Sequence, residues 1–290
     1  MTFHTKNVAR KFSKLSFNSK LYQTSWQTIN RSFQDFHSID LANSIPLSVF
    51  DCIPSTNTKL WELIDRGDKC PLGAIATKQT AGKGQWGHRW VSAAGGLYLS
   101  VGLDLDLEIA NYPHLVIATA WGIATVLRHY KLPVTIKWFN DLILDRRKLG
   151  GIKIETRSSK NKLVKAVVGV GINWQNCVPK PGINLKSYYR DENAKTINSL
   201  EELTAIAAYG ILFGYEYYLA VGIEKLLDKY IAILNSLGKP VNFNGCSGEV
   251  IGVTTQGMLR VKLHSQRYPQ SPDDSYEVAI APGQISLGYR

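Results

Sequence analysis

Residues 77–90 combine three glycines, two tryptophans and several basic side chains in the short stretch TKQTAGKGQWGHRW. Glycines let a backbone approach a ligand closely, and successive exposed N–H groups can bind an anion. The lysine, histidine and arginine side chains add positive charge, and the indoles of Trp86 and Trp90 can pack over a bound molecule. The stretch therefore predicts a loop that closes over a phosphate-bearing ligand; a surface turn with incidental basic residues is the alternative.

A second cluster of polar residues lies in KWFNDLILDRRKLGGIKIE, residues 137–155. DRRK at 145–148 fits a hairpin turn, so that Lys148 on the returning strand can reach back beside Asn140 and Asp141. One cation, one carboxylate and one amide together suit a phosphate site assisted by Mg²⁺. A hairpin with a solvated group of charges is the alternative.

Several common catalytic and cofactor patterns are absent from the sequence. The Walker pattern G-x-x-x-x-G-K-[ST] does not occur, and GVGINW at 169–174 has tryptophan where a dinucleotide-binding fingerprint needs its third glycine. The six histidines lack metal-ligand spacing, and the four cysteines form no C-x-x-C pair. These observations argue against Walker-type, Rossmann and zinc sites, and they predict reduced thiols in a reducing compartment.

Periodicity and turn residues predict the elements that must position the polar side chains. Strands are predicted at 46–56, 73–78, 95–103, 134–138, 141–145, 149–156 and 163–174. Helices are predicted at 57–67 and 113–130, and from the S-x-x-E capping box at Ser199 and Glu202 to about residue 236. Because the strands cluster in hairpins instead of alternating strictly with helices, we predict an α+β fold with a mixed β-sheet packed with helices.

The composition changes on both sides of residues 46–238. Residues 1–45 form a basic extension, and three interpretations of it are open: a flexible arm, a short helix and an organelle transit peptide. No motif lies there, so deletion of residues 1–40 is expected to leave activity largely intact. Short β-type runs with glycine turns predict a small SH3-like β-barrel at 239–290, and the catalytic domain is therefore predicted at 46–238.

The positive charge of the chain is concentrated near its N-terminus. The net charge is +11, and residues 1–34 contain six lysines or arginines and no acidic residue. The remainder is only mildly basic, which suits an anionic ligand or an acidic partner as well as it suits nucleic acid. No run of about 18 or more apolar residues occurs, so no membrane span is expected.

Four motifs occur in an order and spacing that resemble the biotin protein ligases, the biotin–[acetyl-CoA-carboxylase] ligases. They are STN at 55–57, QTAGKGQWGHRW at 79–90, KWFNDLIL…RKLGGI at 137–152 and GVGIN at 169–173. The resemblance extends over about residues 48–290 and leaves no room for the DNA-binding domain of the bifunctional members. It implies an enzyme that makes biotinyl-5′-AMP from biotin and ATP with Mg²⁺, and that transfers biotin to one lysine of a biotin carboxyl carrier domain.

The resemblance also implies roles for particular residues. Those implied to bind biotin are Ser55, Thr56, Asn57, Gln79, Lys83, Gly84, Gln85 and Lys148. Those implied to bind ATP or the adenylate are Gly82, Trp90, Asn140, Asp141 and Asn173, with Asp141 also at the Mg²⁺. Lys148, Lys83 and Asp141 are the implied catalytic residues. No protein nucleophile is required, because the carboxylate of biotin attacks the α-phosphate.

The chain departs from the family pattern in the loop and in the hairpin. Lys83, Gln85 and His88 stand where the family usually has arginines, and Phe139 replaces the proline of K-W-P-N-D. Gln85 removes a charge from a position associated with retention of the adenylate. Two other functions are weighed: a lipoate ligase or octanoyl transferase of the same fold, and a non-catalytic regulatory protein that binds biotin or nucleic acid. We expect a cytoplasmic protein, or an organellar one if residues 1–45 are a transit peptide, and a homodimer remains open.

Overall fold

The computed structural model describes residues 17–34, 39, 41–191, 197–264 and 275–288, which form a mixed α+β fold. The helices are α1 (Ser19–Gln34), α2 (Thr56–Asp65), α3 (Tyr112–His129), α4 (Leu185–Asp191) and α5 (Leu200–Ile231). The strands are β1 (Leu47–Ile53), β2 (Leu72–Gln79), β3 (Leu97–Glu108), β4 (Thr135–Lys137), β5 (Asp141–Leu144), β6 (Arg147–Ser159), β7 (Lys162–Ile172), β8 (Pro240–Phe243), β9 (Cys246–Val253), β10 (Leu259–His264) and β11 (Ser275–Ile280). The predicted strands and helices therefore recur with the expected type, most of them within a few residues of the predicted limits.

Seven strands form the main sheet in the order β1-β2-β3-β7-β6-β5-β4. Only β1 and β2 pair in parallel, and the other neighbouring strands are antiparallel. Strands β4 to β7 are consecutive in the chain and are joined by short turns, which favours antiparallel pairing of neighbours. The predicted turn at 145–148 is confirmed: Asp145 and Arg146 both have positive φ and connect β5 to β6.

The two faces of the main sheet carry different layers. Helices α3 and α5 cover one face and form most of the hydrophobic core with it. Helix α2 covers part of the other face, where Leu60 and Ile64 pack against Val167 of β7. Because side chains alternate along a strand, Gly169 and Gly171 lie on this α2 face as well. The α2 face beyond Val167 is therefore left without large side chains of β7, which lets the side chains of Asn57 and Trp90 lie close against the strand.

Helix α1 belongs to the hydrophobic core and packs against α5. Its buried face consists of residues at helical spacing, namely Tyr22, Trp26, Ile29 and Phe33. The indole nitrogen of Trp26 donates a hydrogen bond to the carbonyl oxygen of Leu41 at 2.7 Å. Deletion of residues 1–40 would remove four buried side chains, which argues against the expectation that these residues are dispensable; the effect on activity stays a prediction. The transit-peptide alternative for residues 1–45 stays a prediction, and residues 1–16 lie outside the described residues.

A four-stranded antiparallel sheet, in the order β11-β10-β9-β8, follows α5. The turn between β9 and β10 contacts the main domain through two hydrogen bonds. The carbonyl oxygen of Thr255 accepts from His114 Nε2 at 2.7 Å, and that of Gly257 accepts from Trp138 Nε1 at 3.1 Å. The predicted small β-rich unit is present among the described residues as an open sheet, and its closure into an SH3-like barrel stays a prediction.

One described helix, α5, is long and apolar enough to cross a membrane by length and composition alone. Its first two-thirds are largely buried, and it packs against α1 and α3 in the core of the main domain. Ser199 caps the helix by accepting a hydrogen bond from the backbone nitrogen of Glu202 at 3.0 Å, which confirms the predicted start. Its apolar composition is thus accounted for by burial within the protein.

Candidate active site

A cavity of about 560 Å³ opens on the α2 face of the main sheet. Its walls come from the start of α2, the loop at 82–90, the β5–β6 hairpin, β7 and a C-terminal segment at 282–287. The predicted site residues that line it are Ser55, Thr56, Asn57, Gln79, Lys83, Gly84, Gln85, Trp90, Asn140, Asp141 and Lys148. The two polar segments identified from the sequence therefore face the same cavity.

Two of the predicted site residues, Gly82 and Asn173, do not line the cavity. Gly82 accepts a hydrogen bond from the backbone nitrogen of Trp90 at 2.9 Å and so closes the base of the loop. Asn173 donates from its backbone to Leu149 at 2.9 Å and from Nδ2 to the carbonyl oxygen of Lys148 at 3.4 Å. Both residues therefore support residues that line the cavity, and their direct contact with a nucleotide stays a prediction.

The carboxylate of Asp141 lies between two lysine side chains. Its Oδ1 is 2.6 Å from Lys148 Nζ, and its Oδ2 is 3.9 Å from Lys137 Nζ. The hairpin places Lys148 opposite Ile143, two residues beyond Asp141, so the lysine reaches back as the sequence predicted. Burial lowers the pKa of Lys137, and Lys148 and Lys239 lower it further, whereas Asp141 opposes this shift. Two ammonium groups are thus held close together at the cavity wall, which suits an anionic ligand.

Asn140 fixes the start of β5 against β6. Its side-chain Nδ2 donates to the carbonyl oxygen of Ile152 at 2.7 Å, and the backbone nitrogen of Ile152 donates to the carbonyl oxygen of Asn140 at 3.1 Å. The preceding residue, Phe139, is held by the hydroxyl of Tyr230, which donates to its carbonyl oxygen at 3.1 Å. These bonds orient the neighbouring Asp141 toward Lys148.

The start of α2 supplies a buried polar pocket at one end of the cavity. Gln79 Oε1 accepts hydrogen bonds from the backbone nitrogen and the hydroxyl of Thr56 at 2.8 and 3.1 Å. The hydroxyl of Ser100 donates to Asn57 Oδ1 at 2.6 Å. Asn57 Nδ2 is buried and has no hydrogen-bond partner among the described residues. A buried donor without a partner costs about 1–3 kcal/mol, which a carbonyl oxygen of a ligand would offset.

The indole of Trp90 lies flat on the strands at the floor of the cavity. A Cβ atom at Gly171 would lie 2.5 Å from Trp90 Cε2, so only glycine lets the ring approach β7 this closely. The ammonium nitrogen of Lys148 lies 5.4 Å from the centroid of the indole ring, within range of a cation–π contact. Trp90 Nε1 is buried and, like Asn57 Nδ2, has no hydrogen-bond partner in the described part of the chain.

Comparison with known proteins connects this arrangement with a single family. Residues 49–173, which include every predicted site residue, match the sequence model of the Biotin/lipoate A/B protein ligase family. The chain is 29% identical over 222 residues to the bifunctional ligase/repressor BirA of Salmonella typhimurium, a match that covers 73% of this chain and 68% of that protein. It is 31% identical over 247 residues to the biotin–protein ligase of Schizosaccharomyces pombe, covering 76% and 39%.

Residues 49–173 of the chain form a domain of the biotin/lipoate A/B protein ligase family. The fold of this chain is similar to that of a solved biotin protein ligase structure. The biotin protein ligase from Aquifex aeolicus in complex with biotin and ATP superimposes with a TM-score of 0.64 at 20% identity, covering 83% of this chain and 97% of that one. The mixed α+β fold of the chain is thus shared with a biotin protein ligase.

The glycine-rich loop of this family member forms a closed hairpin at the cavity. The backbone nitrogen of Gly84 donates to the carbonyl oxygen of His88 at 2.6 Å, and Lys83 pairs with Arg89 across the base. The ammonium group of Lys83 donates to the hydroxyl of Thr58 at 3.1 Å. The loop is therefore ordered by its own backbone bonds and by a contact with α2.

Two contacts hold the tip of the hairpin over the cavity. Gln85 Nε2 donates to the carbonyl oxygen of Ile152 on β6 at 3.4 Å. The indole of Trp86 is 66% exposed and packs over Gly283, where a Cβ atom would lie 3.2 Å from the ring. The second contact joins the loop to the segment at 282–287, so residues of the main domain and of the segment that follows β11 enclose one space.

The cavity is strongly cationic. The lysines and arginine that line it are Lys83, Arg89, Lys137, Lys148 and Lys153, whereas Asp141 is the single carboxylate among its described lining residues. No group of three or more His, Cys, Asp or Glu side chains that could hold a metal occurs among the residues that the structure describes. This charge distribution favours a polyanionic ligand that brings its own counter-ion.

Three lining features were missed by the sequence analysis. Lys137 lies within a recognised motif but received no role, because its contact with Asp141 depends on the hairpin geometry. Lys153 shares a strand face with Gly151, a relation that the alternation along β6 could have revealed. Residues 282–287 carry no polar motif, and the Pro-Gly pair within them indicates only a turn.

Proposed function

We propose that this protein activates biotin with ATP, forming biotinyl-5′-AMP, and transfers the biotin to a specific lysine of a biotin carboxyl carrier domain. The observation that carries the proposal is the shared cavity, in which Lys148 and Asp141 face the glycine-rich loop at 82–90. Family membership and relatives named as biotin–protein ligases support the same conclusion. A structural neighbour that binds biotin and ATP also agrees with it.

In the first step, a carboxylate oxygen of biotin forms a bond to the α-phosphorus of ATP, and the bond to the pyrophosphate leaving group breaks. Both reactants are anions, so the site must reduce their repulsion and stabilise the charge that develops on phosphate oxygens. Lys148 lies 2.6 Å from Asp141, which fixes its ammonium group, and Lys83 approaches from the loop. We assign charge stabilisation at the α-phosphate and the biotin carboxylate to Lys148, with Lys83 in support.

The polar pocket at the start of α2 is assigned to the ring end of biotin. The ureido group of biotin carries a carbonyl oxygen and two N–H groups, and it therefore needs both donors and acceptors. Asn57 Nδ2 is a buried donor without a partner among the described residues, and the hydroxyls of Ser55 and Thr56 and the amide of Gln79 lie beside it. Because this buried donor has no partner among the described residues, the pocket favours a ligand whose carbonyl oxygen can accept its hydrogen bond.

In the second step, the amine of the carrier lysine attacks the carbonyl carbon of the mixed anhydride, and AMP leaves. The attacking amine must be neutral, and the surrounding cations disfavour its protonated form. Asp141 is the carboxylate within the cavity, and we assign to it the guidance of the departing proton. The loop hairpin over the cavity would exclude water, which otherwise hydrolyses the anhydride.

The donor set of the cavity suits Mg²⁺ that arrives with the nucleotide. Mg²⁺ is usually bound through one or two carboxylates, substrate phosphates and water, and Asp141 supplies one carboxylate here. When bound, the ion would neutralise phosphate charge. Asp141 would be the residue that holds it, with Lys148 beside it at the cavity wall.

A direct assay tests the proposed function. The purified chain is incubated with radiolabelled biotin, ATP, Mg²⁺ and a biotin carboxyl carrier domain, with a carrier whose target lysine is changed to arginine as the control. We expect pyrophosphate release and label only on the unchanged carrier. Label from lipoate in place of biotin would support a lipoate ligase, and salt-sensitive nucleic-acid binding without any turnover would support the non-catalytic alternative.

A further inference from the structure

Lys153 lies on the cavity wall at the end that holds the buried polar pocket. In the pairing of β6 with β7 it lies opposite Gly169, and both residues line the cavity. A Cβ atom at Gly169 would lie 3.2 Å from Asn57 Nδ2, so this amide lies against the strand at the same point. Side chains directly opposite each other in an antiparallel sheet have Cβ positions about 4.5–5.5 Å apart. Lys153 from β6 and Asn57 from α2 therefore border the same end of the cavity.

A set of contacts between β6 and α2 holds the side chain of Lys153 at this end. Lys153 Nζ is 3.5 Å from Glu155 Oε1, and Glu155 Oε2 accepts a hydrogen bond from Trp61 Nε1 at 3.1 Å. Trp61 lies on α2, one turn beyond the residues that form the polar pocket. The guanidinium carbon of Arg157 lies 4.1 Å from the centroid of the Trp61 ring, and Arg157 also pairs with Asp65 at the end of α2. Strand β6 is thus tied to the helix that carries the pocket.

A ligand at this end of the cavity meets positive charge. Lys153 lines the cavity with its side chain 25% exposed, whereas Glu155 does not line it. The distance of 3.5 Å between them exceeds the about 2.7–2.9 Å of a charge-assisted hydrogen bond, so Glu155 leaves the donors of the ammonium group available. Lys83 adds a second ammonium group from the loop, where it donates to the hydroxyl of Thr58, the neighbour of Asn57.

We propose that Lys153 is a specificity-determining residue that donates a hydrogen bond to the carbonyl oxygen of the ureido ring of biotin. This inference rests on the proposed function and extends the binding pocket for the ring to β6. A carbonyl oxygen has two lone pairs and can accept from both Asn57 Nδ2 and an ammonium donor. The four-carbon stem of lysine is flexible and carries three donors, so the group can turn from Glu155 to the ligand. Glu155 is then a positioning residue, because it keeps the ammonium group beside the pocket.

The charge of Lys153 is tested with biotin and 2-iminobiotin, whose ring carries a protonated imine in place of the carbonyl oxygen at neutral pH. Binding of each to the full chain is measured by isothermal titration calorimetry without nucleotide. Lys153→Met keeps an unbranched stem and removes the ammonium group. We expect it to weaken biotin binding about five- to thirtyfold, less than for a fully buried charged hydrogen bond because the side chain is partly exposed. Since an ammonium group repels the cationic ring, the preference for biotin over 2-iminobiotin should fall about fivefold or more.

Control variants and kinetics separate this role from general damage. Lys262→Met is the matched control, because Lys262 is an exposed lysine on β10, and it should leave both affinities within about twofold of wild type. Lys153→Arg keeps the positive charge and should restore most of the preference for biotin. In pyrophosphate release, Lys153→Met should raise the KM for biotin and leave the KM for ATP unchanged.

Two results would overturn the assignment of Lys153. One is a biotin affinity and a preference over 2-iminobiotin in Lys153→Met that both stay within about twofold of wild type. The other is an equal loss of biotin affinity in Lys262→Met. Failure of the wild-type chain to bind biotin and to release pyrophosphate would instead refute the proposed function.

Discussion

Gly171 and Gly151 allow a matched test of how the cavity floor controls the chemistry. Both glycines line the cavity and neighbour the indole of Trp90, and they lie opposite each other in the pairing of β6 with β7. A Cβ atom at Gly171 would lie 2.5 Å from Trp90 Cε2 and 2.8 Å from Cζ2. A Cβ atom at Gly151 would lie 3.4 Å from Trp90 Cζ3, which is ordinary van der Waals contact.

The cost of Gly171→Ala follows from this geometry. Non-bonded carbon atoms are favoured at about 3.5–4.0 Å, so the indole must move by about 1 Å. The strand cannot yield easily, because β7 is hydrogen-bonded to β3 on one side and to β6 on the other. Overpacking of this kind costs about 1–3 kcal/mol. Because the displaced ring lies 5.4 Å from Lys148 Nζ, we expect adenylate formation to fall about five- to hundredfold.

The assay is ATP- and biotin-dependent pyrophosphate release, with thermal unfolding measured on the same samples. Gly151→Ala would place its methyl group 3.4 Å from Trp90 Cζ3 and 3.5 Å from Asp141 Oδ1 and Lys148 Cε, so it should displace the indole less and lower activity less than Gly171→Ala does. Activity of Gly171→Ala within twofold of wild type would refute the reasoning. An equal loss of activity in Gly171→Ala and Gly151→Ala would also refute it, because the distance from the new methyl group to Trp90 would then not control the activity.

Three further predictions concern the lysine, the N-terminal helix and the buried histidine. Lys148→Ala should lower pyrophosphate release about 100- to 1000-fold, as for loss of one transition-state contact, while the surface change Lys165→Ala should have little effect. In denaturant titrations, Trp26→Ala should lower the free energy of unfolding by about 3–5 kcal/mol, and Leu21→Ala on the exposed side of α1 by less than about 0.5 kcal/mol. Burial holds the pKa of His114 below its usual value, so the unfolded chain binds the proton first and stability should fall as pH drops below about 6.5. Between pH 7.5 and 5, the Tm of His114→Asn should fall less with decreasing pH than the Tm of the wild type. Equal slopes of Tm against pH in the two proteins would contradict the assignment of this effect to His114.

Local features of the fold were predictable because their causes are local. The capping box at Ser199, the turn at 145–148 and the apolar pattern of α3 each depend on residues within a few positions of one another. The order of the main sheet was not predictable in this way. Strand β3 pairs with β7, about 65 residues later, and such pairing depends on how whole elements pack.

The candidate site shows the same division between local and distant causes. Lys148 and Asp141 belong to one hairpin, so their meeting could be derived from strand geometry and the turn. Gly171 stood out in the sequence as a glycine of an incomplete dinucleotide motif and of the GVGIN motif at 169–173, neither of which indicated a contact with Trp90. Its effect on Trp90 exists only after β7 and the loop meet across 81 residues of sequence. The wall at 282–287 likewise depends on docking of the C-terminal sheet.

The loop at 82–90 uses neutral contacts for its closure. Gln85 makes a neutral hydrogen bond to Ile152, and Trp86 packs over Gly283. Neutral contacts of this kind are not weakened by screening as charge pairs are. Closure of the loop therefore depends on packing and hydrogen bonding, while the lysines at the cavity supply the attraction for the anionic ligand. Gln85 thus links the loop to β6 without adding a charge to the site.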